Sequence, residues 1–436
     1  MEQDPALPRN VLFTSPLEQH FLRFYRKFFS IGEIEGSTAL KWSAGAFLFA
    51  TFVSFYKWIG EHTITVDAYL SNDYTCWPYF MSCGKYYFLH ALPEGYSQTT
   101  LYAAFFGLML LIVYLMYKND WVLAHMGILV LWLWKTAFVF LLTYTSSGNY
   151  DYYDIILLFV WLFVPYKLFF LQIVYALLYF LASTIKIDAG WIAGTYFTSL
   201  DTGLPIFGNF FAPIITNIVI FIQMVGSWFL LSGRRILQRA ALGVFIFFHL
   251  YSGILVEYRY MSTTLPILII LFGLFYEKLP IPKDRRALVG WVVIALLCML
   301  QLSRLLIVSP ADQRMTLEGN RFGLYMFEAN HQCVSHIIIY ESGKLIKNVE
   351  SQSAVAQSRC DPYKEWFAIQ QLCLRIPGIT SIVWQYDHSV NGGPFYRIVD
   401  EHNACQLSYT LWKHNPWIKL SSDKPRIMGY PVENIY

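Results

Sequence analysis

Nine apolar runs occupy most of the first 307 residues of this chain, and the longest of them match the thickness of a membrane. A helix needs about 20 apolar residues to cross the hydrocarbon core of a bilayer. The composition agrees, because 56% of the 436 residues are hydrophobic and only 14% are charged, whereas soluble domains carry about 25% charged residues. The runs lie at 41–59, 99–117, 121–143, 154–165, 168–184, 209–231, 240–256, 260–276 and 287–307.

The sequence therefore predicts an all-α polytopic membrane bundle of about nine spans, followed by a small extracytosolic α+β domain. We expect a cytoplasmic segment at 1–40, a membrane body at 41–308 and an extracytosolic domain at 309–436. MEQDPALPRN at the start lacks the pattern of a cleavable signal peptide, so the first span is expected to act as the targeting signal. Within the last domain, strands are predicted at 336–341 and 381–386, a helix at 361–375 and a turn at 391–394.

Lysine and arginine residues fall in alternate loops, as a nine-span chain with a cytoplasmic N-terminus requires. This pattern predicts a multi-pass protein of a bacterial inner membrane or of the endoplasmic reticulum, with lipid as a partner. No basic stripe suggests nucleic acid, and the oligomeric state stays open. The marking residues are Arg23, Arg26, Lys27, Lys118, Lys167, Arg234, Arg235, Arg239, Lys278, Lys283, Arg285 and Arg286.

Six of the seven cysteines fall on the predicted extracytosolic side, and Cys298 lies in the last span. An even number of cysteines in an oxidising compartment predicts disulfides. A local Cys76–Cys83 bond and a link from the first loop to the C-terminal domain are both compatible with the spacing, and free thiols are the alternative. The other four cysteines are Cys333, Cys360, Cys373 and Cys405.

Ionisable residues inside or beside the spans are few, and such residues are functional candidates. Lys135 is expected to pair with a carboxylate or a carbonyl of the bundle. His249, in the middle of a span, is either a structural histidine bonded to a neighbouring helix or a functional group. Glu257 and Arg259 lie near a membrane edge.

The hexapeptide KIDAGW at 186–191 follows the run LQIVYALLYFLAST directly. Lys186 and Asp188 at a membrane boundary are costly to bury and need a reason. A primary amine near lipid loses its proton more readily, because desolvation disfavours the ammonium form, and it is then a usable base. The alternative is a lysine that extends to the interface and anchors the helix end.

The chain lacks the motifs of several enzyme classes. No HExxH and no paired CxxC spacing predicts a zinc site, and no P-loop, GxSxG or dinucleotide fingerprint is present. The spans show no obvious duplicated halves of the kind that transporters carry. These observations argue against a metalloprotease, an ATPase, a Rossmann enzyme and a transporter.

Several blocks, in the same order along the chain, resemble the vitamin K-dependent γ-carboxylase family and its bacterial relatives, the horizontally transferred transmembrane (HTTM) family. The likeness covers roughly residues 60–375. KIDAGWIAG is similar to the family's Lys-Leu-Asp-Ala-Asp-Trp-x-x-Gly. The blocks are YLSNDYTCWPYF (69–80), SSGNYDYYDI (146–155), KIDAGWIAG (186–194), FFHLYSGILV (247–256), GLYMFEANHQC (323–333) and QSRCDPYKEWFAIQQLCLR (357–375).

The resemblance implies a carbon–carbon lyase that carboxylates glutamate side chains of a secreted peptide or protein. Vitamin K hydroquinone, or another quinol, would be the cofactor, with oxygen and carbon dioxide as co-substrates. In the family a lysine deprotonates the hydroquinone, and oxygenation then creates the strong base that removes the glutamate γ-proton. Carried over to this sequence, the catalytic residues are Lys186, Tyr150 and His249, and the cofactor-binding residues are Asn149, Asp188, Trp191 and Glu328.

The chain departs from the family pattern at several positions. The family's Asn-His pair is Asn149-Tyr150 here, and a tyrosine does not titrate near neutral pH as a histidine does. The second aspartate of the hexapeptide is Gly190. These departures leave a second hypothesis open, an HTTM-fold membrane protein without carboxylase activity that acts as a quinone- or lipid-binding scaffold or as a peptide-maturation partner.

Overall fold

The structure is a computed structural model in which a helical bundle is followed by an antiparallel sheet with one long helix. It describes residues 16–60, 75–83, 96–137, 149–200, 202–255, 258–307, 313–319, 324, 329–353, 360–419 and 430–431. The core is continuous from the bundle into the sheet domain, since buried side chains of both parts pack in one cluster.

Thirteen helices make up the described part of the bundle and of its N-terminal approach. α10 contains a π-helical turn at Ile222–Gly226, and a further π-helical segment at Ile269–Leu274 continues α12. The helices are α1 (Pro16–Phe28), α2 (Ile31–Gly36), α3 (Thr38–Gly60), α4 (Tyr96–Tyr117), α5 (Trp121–Ala137), α6 (Asn149–Phe163), α7 (Lys167–Thr184), α8 (Ala189–Ile192), α9 (Thr195–Thr198), α10 (Gly208–Phe229), α11 (Arg235–Leu255), α12 (Tyr258–Leu268) and α13 (Leu288–Ile307).

Each of the nine predicted apolar runs is helical over most of its described residues, which confirms a mainly helical body. Five helices are long and apolar enough to cross a membrane by length and composition. Shorter apolar helices occur within α4, α5 and the α12 region, and α6 is also short. Nine membrane crossings therefore remain a prediction. The five long segments are Thr38–Tyr56, Lys167–Thr184, Gly208–Phe229, Arg235–Leu255 and Arg285–Ser303.

The helix ends that carry the basic residues gather at one end of the bundle, which we call the basic end. Hydrogen bonds join the N-terminal helices to the α6–α7 corner, and this corner to the segment before α13. Such clustering is what alternate loops of a multi-pass chain require. The contacts join Tyr25 to His125, Glu33 to the Tyr166 and Lys167 backbone N–H groups, Tyr166 to Asp284, and Tyr276 to the Ser232 carbonyl.

Lys167 is one of the basic residues that the sequence used to mark the cytoplasmic loops. Its side chain is fully buried, and Nζ donates to the carbonyls of Trp161 at 2.7 Å and Leu162 at 2.9 Å. These carbonyls belong to the last turn of α6, where a positive charge interacts favourably with the negative end of the helix dipole. Lys167 therefore lies at the predicted end of the bundle but caps a helix there.

The C-terminal domain contains a sheet in the order β2-β1-β3-β4-β5, and every described neighbouring pair is antiparallel. The predicted strands, helix and turn are confirmed, whereas β2 and β4 were not predicted. Asp361 caps its helix by accepting from the Tyr363 N–H at 3.0 Å. The elements are α14 (Gln313–Thr316), β1 (His331–Glu341), β2 (Lys344–Ser353), α15 (Pro362–Arg375), β3 (Ile379–Val390), β4 (Tyr396–Glu401) and β5 (Tyr430–Pro431).

Three disulfides use the six cysteines that the sequence placed on one side. They join Cys76 to Cys83, Cys333 to Cys360 and Cys373 to Cys405. The local pairing in the first loop is confirmed, and the covalent link between that loop and the C-terminal domain is wrong. The two parts meet through a hydrogen bond instead, in which the Tyr363 hydroxyl donates to the Cys76 carbonyl at 2.5 Å.

Candidate functional site

Lys186 lies just beyond the end of α7, at the opposite end of the bundle from the basic end. Its side chain is buried, with a residual exposure of 4%. Nζ donates to the Ala182 carbonyl at 3.2 Å and lies 5.3 Å from the centre of the Trp191 ring. The chain thus folds back within five residues so that the indole faces the amine. An amine over an indole face is stabilised in its charged form by the ring quadrupole.

Asp188 starts the short helix that carries Trp191. Its Oδ1 accepts from the Gly190 N–H at 2.6 Å and from the Trp191 N–H at 3.3 Å, which is an ordinary N-cap. The same oxygen pairs with Arg314 Nη1 at 2.7 Å. Asp188 therefore fixes the backbone beneath Trp191 and ties it to the segment that leads into the C-terminal domain.

Side chains of the C-terminal domain lie close to Gly190. A Cβ at this position would lie inside van der Waals contact with Asn391 Nδ2 and within 3.3 Å of Arg314 Nη1. Asn391 sits at the turn after β3. An aspartate at this position would fit only if the ends of the Asn391 and Arg314 side chains moved.

The C-terminal domain covers this end of the bundle through further polar contacts. Asn330 Nδ2 donates to the Tyr196 carbonyl and to Ser199 Oγ, the latter at 2.9 Å. Gln301, buried in α13, donates to the Leu181 carbonyl at 3.2 Å and accepts from the Leu324 N–H at 2.7 Å. Lys186 thus lies at the junction of the membrane body and the domain.

Aromatic rings and an apolar groove border this junction on the side of α10. The Trp191 ring stacks on Tyr196 with centroids 5.0 Å apart, and Phe197 contacts Trp191 edge-on at 5.7 Å. Asn217 Nδ2 donates to the Ile192 carbonyl at 2.9 Å, which joins α10 to α8. An open groove on this face of α10 is lined by Pro213, Ile214, Asn217, Ile218 and Phe221.

A buried array of hydroxyls and one imidazole follows the same helix towards the middle of the bundle. Tyr175 and Tyr179 lie one turn apart on α7, with hydroxyl oxygens 2.9 Å apart. Tyr179 hydrogen-bonds to His249 Nε2, and His249 Nδ1 contacts Thr264 Oγ1 at 3.2 Å. His249 therefore links α11 to α7 and α12, as a structural histidine in a bundle would.

The hydroxyls of this array also donate to backbone carbonyls of α12. The Tyr175 hydroxyl donates to the Thr264 carbonyl at 3.0 Å, and Thr264 Oγ1 donates to the Tyr260 carbonyl at 2.7 Å. Lys186 follows Tyr179 by seven residues. Two turns of helix correspond to a rise of about 10 Å along the axis of α7.

A second polar cluster joins α3, α5 and α6 and is fully buried. Lys135 Nζ lies 2.7 Å from Asp154 Oδ2, 3.1 Å from Asp151 Oδ1 and 3.1 Å from Ser54 Oγ. Thr51 donates to Asp154 at 3.2 Å. The expected pairing of Lys135 with a carboxylate is confirmed, and among the described residues the cluster contains two carboxyl groups and one ammonium group.

The structure brings some of the predicted site residues together and separates others. Lys186, Asp188 and Trp191 form one site, while the hydrogen bonds of His249 belong to the tyrosine array. Tyr150 is buried in the first turn of α6, next in sequence to Asp151 of the Lys135 cluster. Asn149 begins α6, but its side chain and all of Glu328 lie outside the described residues.

Sequence reasoning missed two contributors, Arg314 and Asn391. Arg314 stands close to the end of the last span and was not distinguishable from a boundary charge. Asn391 was predicted only as part of a turn. Neither carries a periodicity or a motif that would connect it to residues 186–191, which are far away in the sequence.

Comparison with known proteins returned no match, whether against family models, curated proteins or solved structures. The resemblance to the γ-carboxylase family therefore stays a prediction from the sequence blocks.

Proposed function

We propose that this chain is an integral-membrane enzyme in which Lys186 acts as a base on a quinol, coupled to carboxylation of a peptidyl glutamate. The observation that carries the proposal is the position of the Lys186 amine. It is enclosed between an indole face and a helix-end carbonyl, exactly where membrane helices meet the C-terminal domain. A membrane-borne quinol and a peptide from the aqueous side would meet at such a junction.

The surrounding residues have the chemistry that a quinol would need. Trp191, Tyr196 and Phe197 place aromatic rings beside the amine, and the groove on α10 would hold an apolar isoprenoid tail. Asn217, which joins the groove to α8, lies between the two. When bound, the quinol would supply through its oxidation the driving force for carboxylation.

Three residues of the chain would have separate roles in the reaction. Lys186 Nζ would accept the quinol proton, since an amine that donates one N–H to Ala182 keeps a lone pair when it is neutral. Trp191 would exclude water from that face. Asp188, through its cap on the Trp191 backbone and its pair with Arg314, would hold the indole in place.

The test is a quinol-dependent carboxylation assay on the full chain in lipid nanodiscs. Labelled bicarbonate, reduced vitamin K and a glutamate-rich peptide are supplied, and both peptide carboxylation and quinone epoxide are measured. Lys186→Ala is expected to lose at least about 100-fold in rate, the usual contribution of a positioned base. Lys347→Ala, on the exposed strand β2, is the matched control and is expected to keep full activity.

Lys186→Arg separates a base from a structural cation. Arginine keeps the positive charge and the contact with the indole but does not deprotonate. It is expected to fold normally and to be inactive. Full activity in either Lys186 variant would refute the proposal, whereas epoxide without peptide carboxylation would confine the enzyme to the oxidation step.

Two observations favour a second candidate function, a quinone- or lipid-binding scaffold without carboxylase activity. Asn391 and Arg314 occupy the place of the family carboxylate beside Gly190, and Tyr150 replaces the family histidine. This candidate predicts saturable quinone binding with neither epoxide nor carboxylated peptide from the wild-type chain. The same assay, with quinone binding measured alongside, decides between the two.

A further inference from the structure

The exposed side of α1 carries a continuous stripe of large apolar side chains. Leu17, Phe21, Phe24 and Phe28 are 79%, 54%, 61% and 63% exposed. At about 100° per residue these four positions fall within an arc of roughly 60°. Single exposed apolar residues are normal on protein surfaces, but a stripe along a whole helix marks an interaction surface. We call these four residues the α1 stripe.

The α1 stripe is not the side by which α1 packs on the bundle. Leu22 and Tyr25 are buried on the neighbouring side, and the Tyr25 hydroxyl contacts His125 Nδ1 at 2.8 Å. Arg26 forms an ion pair with Glu35, which follows in α2. These contacts fix the rotation of α1, so the stripe faces away from the protein in the described part of the chain.

The flank of the stripe away from the bundle is basic. Arg23 and Lys27 are exposed and lie one turn apart, and His20 lies close to them around the helix. The order around α1 is therefore a packed side, an apolar stripe and a positive side. Helices with this arrangement lie in the plane of a membrane surface, with cations beside an apolar face.

The geometry points to α1 as an in-plane membrane helix that binds anionic phospholipid. The α1 stripe would lie among the acyl chains, and Arg23 and Lys27 would contact lipid phosphates. Two observations select lipid as the occupant. The stripe is continuous with the basic end of the bundle, where Trp42 in the first turns of α3 is 62% exposed, as interfacial tryptophans are. The positive flank complements an anionic headgroup.

Depth of the α1 stripe in the bilayer is measured on the full chain with a fluorescent label at Phe24→Cys. Cys298→Ser removes the cysteine outside the disulfides, so the label goes to one position. Vesicles contain lipid with a nitroxide on the acyl chain, which quenches labels buried in the bilayer. Strong quenching is expected at position 24, and quenching several-fold weaker at the control Gln19→Cys on the opposite side of α1.

The lipid charge preference is measured with the same label and with nitroxide carried on phosphatidylglycerol or on phosphatidylcholine. The wild-type flank is expected to enrich the anionic lipid, by up to about fivefold for each charge. In the double variant Arg23→Gln with Lys27→Gln, the two nitroxide lipids should quench the label to the same extent. The matched control is Lys344→Gln with Lys347→Gln in β2, at the far end of the molecule, which should keep the wild-type preference.

Three results would overturn the inference. Equal quenching at positions 24 and 19 would place the α1 stripe in water. A label that resists lipid quenching but self-quenches as the protein-to-lipid ratio rises would mean that a second copy covers the stripe. A label that becomes accessible to lipid only after deletion of residues 1–15 would mean that this segment covers it. None of these results bears on Lys186, so the two proposals fail independently.

Discussion

Replacing Lys135 tests whether the buried cluster depends on charge balance. Lys135 neutralises part of the charge of Asp151 and Asp154, and all three side chains are at most 2% exposed. Lys135→Met leaves two carboxyl groups without their cation, and removing one partner of a buried pair costs about 3–5 kcal/mol. Asp154→Asn instead leaves a one-to-one pair of Lys135 and Asp151. The asparagine oxygen can still accept from Lys135, so a cost of about 1 kcal/mol is expected.

The two variants should therefore differ by about 2–4 kcal/mol, which is at least a factor of 20 in the ratio of folded to unfolded chain. Reversible unfolding in mixed micelles, followed by tryptophan fluorescence against the mole fraction of SDS, measures this difference. Lys118→Met, an exposed lysine in the turn after α4, is the matched control and should change stability by less than about 0.5 kcal/mol.

A Lys135→Met chain as stable as the Lys118→Met control would refute the charge argument. So would an Asp154→Asn chain as unstable as Lys135→Met, because the loss would then come from packing and not from uncompensated charge. Adding Asp151→Asn and Asp154→Asn to Lys135→Met should recover much of the lost stability, since the described carboxyl groups that Lys135 neutralised are then replaced by neutral amides.

Two further predictions concern the C-terminal domain. Gly190→Asp should lower the free energy of unfolding by about 1–3 kcal/mol through overpacking against Asn391. Adding Asn391→Ala to Gly190→Asp should restore part of the melting temperature. An unchanged melting temperature in Gly190→Asp would contradict the close packing. The hydrogen bond with Glu318, at 2.8 Å, raises the pKa of His414 above its usual 6.5. The contribution of the His414–Glu318 hydrogen bond to the free energy of unfolding is therefore complete below pH 6.5 and is lost as the pH rises through the raised pKa. The melting temperature of His414→Gln should fall below that of the wild type at about pH 5.5 and approach it at about pH 8.5. A difference in melting temperature that stays constant with pH would contradict this prediction.

Much of the fold was accessible from the sequence because its signals are local. The helix after Asp361 shows an N-cap residue, a proline at the first helical position and apolar residues on one face, and all three act within a few residues. The bond between Cys76 and Cys83 is likewise local. β2 escaped prediction because nearly all of its side chains are exposed, so the alternation of a half-buried strand is absent.

The candidate site was only partly predictable because its contacts join distant segments. Lys186, Asp188 and Trp191 form one short motif, and the motif itself brings them together. The Asp188–Arg314 pair spans 126 residues, and no pattern of spacing encodes it. Lys135 could be expected to find a partner in the bundle, since an unpaired ammonium is too costly there, but the choice of Asp151 and Asp154 depends on how the helices pack.

The junction at Lys186 has a consequence for biosynthesis. The hydrogen bond between Tyr363 and the Cys76 carbonyl joins residues 287 positions apart, and Asn330 reaches Tyr196 across 134 positions. A ribosome makes the membrane helices first, so the cover over Lys186 arrives only with the last quarter of the chain. A nascent or truncated chain would have Lys186 and Trp191 without the polar contacts that the C-terminal domain makes at this end of the bundle. The junction is therefore completed only when that domain docks.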